Sequence, residues 1–486
     1  MKLRWPVLLV ALLLSVVKTS ASALSGELVT FSDFNTITAV ASSSSHVYFA
    51  TPFGITRYNK IENLWELPLA GSEQIAREEI QALRVDLFDQ HLYARSTQNW
   101  YEYDLTFERW YPIGKEPRVE NPSKEVRPDG VMYPPEGFTW SADGYLIDKL
   151  GRTAPMDVIL DDGSGVWWIG TQGYGAAKSS SSGRILTLLP YGLLQRRVNA
   201  FLDDSLLWVA GTVTGPRTGI TLMDREENRF QYIETGFGAA FEAVDINCFS
   251  SEGNSVYAGT SNGVYTLSRE TGEMLGHITS TLGLADNNVI SLATNGDTLF
   301  VGTALGLSVV IPTGGKSRFA SIEEFARHTV FDMQIVDSSL WVASSNGVYR
   351  LSLVNGSLKK FNDPTLVLAH EVFDIDYVGE NLWMTSSSGA LRVNVRTGDI
   401  EPFRVGMSRT IAREIEVNDT IAVLNSDRGI VLLYYKEDKQ PTREITVEDG
   451  LPSSYVYSLL FDGDFLWIGS DRGLTRLWWS SPNILR

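Results

Sequence analysis

Short apolar runs broken by polar turns fill the chain from about residue 35 to 480, and one run–turn–run unit recurs. Near the end it reads Leu466-Trp467-Ile468-Gly469-Ser470-Asp471-Arg472-Gly473-Leu474-Thr475-Arg476-Leu477. Upstream copies include Val256-Tyr257-Ala258-Gly259-Thr260-Ser261-Asn262-Gly263-Val264-Tyr265 and Leu340-Trp341-Val342-Ala343-Ser344-Ser345-Asn346-Gly347-Val348-Tyr349. The first run of each copy is too short for a helix and apolar on both sides, as in a strand covered on both faces. The glycine closing the turn suits a backbone position with positive φ.

An aromatic ring at the second position of the unit measures the repeat. It falls at Tyr48, Tyr93, Trp168, Trp208, Tyr257, Phe300, Trp341, Trp383 and Trp467, with Ala422 in the remaining copy. Two positions later a small residue is usual (Ala50, Gly170, Ala210, Gly259, Gly302, Ala343, Thr385, Gly469), and Arg95 and Leu424 are the exceptions. A ring on one sheet set against a gap on the next is the packing of a β-propeller, whose four-stranded blades repeat at roughly 40–45 residues. The pattern predicts an all-β propeller of about ten antiparallel blades. Glu27-Leu28-Val29-Thr30-Phe31 resembles an outer strand, and the last copy lacks one. The N-terminal strand is therefore expected to complete the last blade and close the ring. One ring of ten follows from the count; two rings of five, or a smaller ring with copies outside it, remain open.

The interval between Tyr93 and Trp168 is long. Residues 115–155 within it form an insertion between the second and third blades, rich in proline at first (Pro117, Pro122, Pro128, Pro134, Pro135) and then hairpin-like around Ser141-Ala142-Asp143-Gly144. It is expected to overhang one face of the propeller. Residues 1–23 read as a signal peptide: Lys2 and Arg4, the apolar run Val7–Val17, and Ala21-Ser22-Ala23 before the cut. The propeller is then 24–486, in the periplasm or secreted, and not membrane-spanning.

A formal charge of −17 disfavours nucleic acid and anionic membranes. Cys248, the single cysteine, excludes an internal disulfide and reads as a buried thiol of an inner strand. The five histidines have no metal-ligand spacing, and neither a P-loop, G-x-S-x-G nor H-E-x-x-H occurs. The Asp462–Asp464 cluster is too short a ladder for calcium. The sequence thus points to no catalytic residue, metal or cofactor.

Residues entering the inner strands line the mouth of a propeller's central channel. Here they are Arg77, Arg196, Arg197, Arg327, His328, His370, Glu371, Arg409 and Arg413, with Tyr455 before the last inner strand. Arginines gathered at one rim of an acidic protein suit an anion or sugar acid. Equally, they suit loop capping or pairing with Glu78, Glu79 or Glu414. Tyr133, Trp140 and Tyr145 in the insertion could stack on sugar rings or pack the insertion down.

The stretch 466–477, with Val166-Trp167-Trp168-Ile169-Gly170-Thr171, Val301-Gly302-Thr303-Ala304-Leu305-Gly306-Leu307 and Asp449-Gly450-Leu451-Pro452-Ser453-Ser454, resembles the two-component regulator propeller repeat. The resemblance covers most of residues 35–480. It implies a periplasmic sensor propeller that recognises glycan fragments. The immunoglobulin-like segment, spanning helix and kinase that often follow in that family do not follow here, so binding is expected and direct signalling is not. The reading is an exported, non-catalytic propeller for an envelope protein partner or an oligosaccharide. A carbohydrate-active lyase or hydrolase at the channel mouth, or an envelope assembly scaffold, are the alternatives.

Overall fold

The computed structural model describes residues 24, 26–69, 75, 78–85, 91–105, 108–119, 124–125, 132–215, 217–236, 241–242, 244–311, 317–368, 370–403, 412–437 and 440–484. The expected signal peptide (1–23), Arg77, Arg409 and much of 120–131 lie outside them. The described residues are nearly all β: nine four-stranded antiparallel sheets, one of five strands, and a three-stranded sheet in the insertion. In chain order the ten larger sheets span 39–65, 80–112, 124–189, 200–235, 246–278, 289–322, 330–360, 372–403, 415–446 and 456–478. Nine are meanders of consecutive antiparallel strands; in the third, Lys124–Glu125 adds an edge strand beside Met156–Asp161.

Leu28–Phe31 is the outer strand of the last sheet, pairing Leu28 with Leu477 and Phe31 with Leu474. The hydroxyls of Thr30 and Thr475 meet at 2.9 Å across this junction. The expected use of the N-terminal strand is therefore present, its two partners 445 positions apart in the chain.

The order of sheets differs from a simple ring of ten. Inner strands touch in the succession Ala200–Leu202, Ile246–Glu252, Val289–Asn295, Val330–Val336, Val372–Val378, Ile415–Val417 and Val456–Asp462, and Val456–Asp462 touches Ala200–Leu202. At that last junction Val198 N donates to Ser470 O at 2.9 Å. A Cβ placed on Gly469 would fall 2.9 Å from the Val198 side chain. The first three sheets form a separate run beside these seven, with Met156–Asp161 against Ala39–Ser42 and Ala39–Ser42 against Ile80–Val85.

The ring-against-gap pattern explains both runs. Trp168 and Gly170 face the first sheet, where Ile37 and Val40 fill the space over Gly170. Tyr48 and Ala50 face Ile80, Leu83 and Ala94 of the second sheet. Trp341 and Ala343 pack on Val372 and Ile375, and Trp383 meets Phe403 and Tyr435 at 4.9 Å between centroids. Arg95 is exposed and Tyr93 only half-buried, and none of the described buried clusters includes either. A charged residue at the gap position thus marks the end of the three-sheet run.

The ninth sheet corrects the alignment by one residue. Ser426 pairs with Gly429 as Ser344 pairs with Gly347, so Val423, not Ala422, stands where Trp341 does. Asn425, not Leu424, holds the gap position, and its Nδ2 donates to Val456 O at 3.1 Å. With no aromatic to mark the copy, apolar character alone cannot separate neighbouring residues, and a slip of one exchanges the faces of the strand.

The described part of the insertion lies on the outward face of the third sheet. Trp140 packs with Met156, Ile169, Ala177 and Leu188, and its Nε1 donates to Met132 O at 2.9 Å. Tyr174 donates to Asp148 at 2.5 Å, and Arg152 bridges Asp148 to Glu234 of the fourth sheet, which Arg217 also holds. Burial would raise the Glu234 carboxyl, but hydrogen bonds and charge from Arg217 and Arg152 outweigh it and hold the pKa below the usual range.

The junction at the last sheet sets a stability expectation. Trp467 is fully buried against Phe31 and the fourth sheet, so Trp467→Ala should cost about 3–5 kcal/mol in denaturant unfolding. Trp478, on the same sheet but exposed, should cost less than about 1 kcal/mol on the same change.

Candidate functional site

The inner strands share a local device. In seven sheets the register slips by one residue near the start of the inner strand, as between Val330 and Asp332, Val372 and Asp374, and Val456 and Ser458. A bulge leaves one residue outside the ladder and re-aims its side chain. The residues so released include Phe331, Phe373 and Tyr457.

Those rings meet the arginines that precede neighbouring inner strands. The Arg197 guanidinium lies 4.1 Å from the Tyr457 centroid, and its Nε donates to Asn199 Oδ1 at 3.0 Å. Arg413 lies 5.2 Å from Phe373, which meets Phe331 edge-on at 5.3 Å. Such contacts hold a guanidinium by its face and leave its N–H fork free for a carboxylate or hydroxyl. Arg327, His370 and Glu371 are exposed just before the next inner strands, with His328 Nδ1 3.4 Å from Ser345 Oγ. Tyr455 stands exposed at the corresponding place in the last sheet. The same end of five inner strands therefore carries Arg197, Arg327, His328, His370, Glu371, Arg413 and Tyr455.

Other predicted residues lie elsewhere. Arg196 turns toward the first sheet, 4.7 Å from the Phe53 ring. Tyr133, Trp140 and Tyr145 belong to the insertion on the third sheet; Tyr133 and Tyr145 are exposed, while Trp140 is packed inward. Trp140 sits beside Met156, at the start of the third sheet's inner strand, and not among the five ends above.

Below the arginines runs a column of carboxylates on the seventh to ninth sheets. Asp332 accepts from Ile375 N at 3.1 Å, Asp374 from Ile415 N at 2.6 Å, Asp376 from Val417 N at 2.6 Å, and Glu416 from Phe461 N at 3.2 Å. Each carboxylate thus caps a main-chain N–H of the following sheet and ties sheet to sheet. Burial raises all of their pKa values, and mutual repulsion adds to it at Asp374, Asp376, Glu414 and Glu416. Asp376 is pushed up to about 6 by burial against the pull of hydrogen bonds from Val417 and Tyr377. Glu414 is pushed up to about 8 by burial and Asp332, partly offset by Arg413. Among the described residues no three His, Cys, Asp or Glu side chains converge as metal ligands do.

Sequence reasoning named the arginines before the inner strands and did not name the rings beside them or the carboxylates. A signal was present: Val-Phe-Asp recurs at 330–332 and 372–374, at the same point of two repeats.

No protein-family model matches the chain, and no curated protein does. Among solved structures, the extracellular domain of BT4673 from B. thetaiotaomicron, described as a two component system protein, is 14% identical. The match covers 93% of this chain and 69% of that one, at a TM-score of 0.47. PorZ of Porphyromonas gingivalis, a surface component of the type-IX secretion system, is 16% identical over 91% of this chain and 73% of its own, with TM-score 0.49. Virginiamycin B lyase from Staphylococcus aureus is 14% identical over 58% of this chain and 94% of its own, with TM-score 0.46.

The carboxylate column makes stability depend on pH. A carboxyl whose pKa is raised on folding stabilises the fold below its unfolded value, and that contribution is lost as pH rises through the folded value. For Glu414 the window runs from about 4.5 to about 8. Melting temperature should therefore be higher at pH 5 than at pH 8, and the Glu414→Gln and Asp376→Asn pair should flatten that slope. A melting temperature that rises across the window contradicts the assignment.

Proposed function

We propose that the seven sheets from 200 to 478, with Leu28–Phe31, close into one propeller ring, and that the arginine-bearing ends of its inner strands form the mouth of its channel. The protein is read as exported and non-catalytic. It binds an oligosaccharide or a protein of the cell envelope, and an oligosaccharide bearing carboxylates fits this mouth best. No helix among the described residues is long and apolar enough to cross a membrane.

The observation that supports this most is the pairing of Arg197 with Tyr457 and of Arg413 with Phe373. Rings offer stacking surface to sugar faces, and guanidinium forks offer two N–H donors to an acid group. The repeats resembling the two-component regulator propeller point the same way. The lyase or hydrolase reading would draw on the carboxylate column. Asp332, Asp374, Asp376 and Glu416, however, already accept main-chain hydrogen bonds between sheets, which favours a structural role for them.

Incubating the purified protein with a polysaccharide panel tests the proposal. Acidic oligosaccharides should be retained without release of reducing ends or unsaturated products. The Arg197→Gln and Arg413→Gln double variant should bind at least about tenfold more weakly. Product release would support the enzymatic reading, and retention indifferent to the double variant would remove the mouth as the site.

A further inference from the structure

A second site lies away from the mouth, where the last sheet, the fourth sheet and the first sheet meet. A cleft of about 860 Å³ opens there, with Leu28, Val29 and Thr30 on one wall and Leu64, Trp65 and Leu67 on another. Two features of it are unsatisfied.

The first is the free edge of Leu28–Phe31. Trp478 N donates to Glu27 O at 2.8 Å, so main-chain groups alternate from there: those of Glu27, Val29 and Phe31 turn toward the neighbouring strand, and those of Leu28, Thr30 and Ser32 turn away. Leu193 N donates to the outward carbonyl of Ser32 at 3.0 Å. The outward N–H and C=O groups of Leu28 and Thr30 have no partner among the described residues, although both residues are well buried.

The second is Arg476, which sits beside Val29 in the register. Its guanidinium lies 4.6 Å from the Phe465 ring centroid and 6.0 Å from that of Trp467, and it makes no hydrogen bond or ion pair among the described residues. The other arginines of the cleft are neutralised: Arg57 by Glu66, Arg225 by Asp203 and Asp462, Arg229 by Glu227. Glu108 and Glu226 are exposed, in contact with solvent. One half-buried cation therefore faces the cleft without an ion-pair partner, Asp462 acting on it only through its field, beside a strand edge that lacks its next strand.

We infer that the cleft is a docking groove for an extended peptide, which adds a strand to the Leu28–Phe31 edge and sets a carboxylate against Arg476. Main-chain N–H and C=O groups two residues apart, roughly 7 Å, match the spacing of another strand. A carboxylate supplies the bidentate partner that the guanidinium lacks. This site is separate from the ring mouth, and neither proposal depends on the other.

Panning the full chain against a displayed hexapeptide library tests the inference. Enrichment of extended, β-branched peptides with Asp or Glu at one position is expected. An N-methyl group at alternate residues of the selected peptide should abolish binding in one phase of the alternation and spare it in the other. Arg476→Gln should bind at least about tenfold more weakly and lose the acidic preference, while Arg476→Lys keeps part of it. Melting curves will show that both variants are folded, and Arg197→Gln with Arg413→Gln should leave selection unchanged. Absence of enrichment, an acidic preference that survives Arg476→Gln, or binding of trigalacturonate in place of peptides would overturn the inference.

Discussion

The structure depends on one contact repeated between sheets: a bulky ring from one face entering a space left by a small residue. A twisted four-stranded sheet covered on both faces has no alternating polar side to fix its neighbour, so shape must do it. Trp467 with Gly469 against Val198 is the contact that joins the last sheet to the fourth, and it coincides with pairing of the N-terminal strand. Each ring so buried is worth roughly 1.5–3 kcal/mol. That term is non-directional, and hydrogen bonds such as Val198 N to Ser470 O fix the angle.

This division of labour bears on how much was legible in advance. The repeat, the strand boundaries around Gly263, Gly347 and Gly473, and the role of Leu28–Phe31 follow from local pattern, because period and turn chemistry act within a few residues. The order of sheets does not. Trp168 facing Ile37 and Trp467 facing Val198 use the same chemistry, so the sequence alone cannot assign partners to rings. Only Arg95, a charge where a gap belongs, hints where one run of sheets stops.

The site was readable to a similar depth. Arginines before inner strands are visible as a list, but the bulge that turns Tyr457 and Phe373 toward Arg197 and Arg413 is a property of pairing register. The carboxylates Asp332, Asp374 and Asp376 looked like scattered acid in a chain with 58 of them. Their meaning appears only when each is seen to cap the N–H of the next sheet. For the insertion, the sequence left Trp140 between stacking on a ligand and packing; the structure packs it on the third sheet.

The central claim is that the tenth sheet closes on the fourth and not on the first. A photo-cross-linking benzoylphenylalanine in place of Tyr457, whose ring lies under Arg197, tests it directly. Closure onto the fourth sheet predicts cross-linked peptides from residues 196–202, identified by mass spectrometry. Cross-links to residues 36–45 of the first sheet would contradict it.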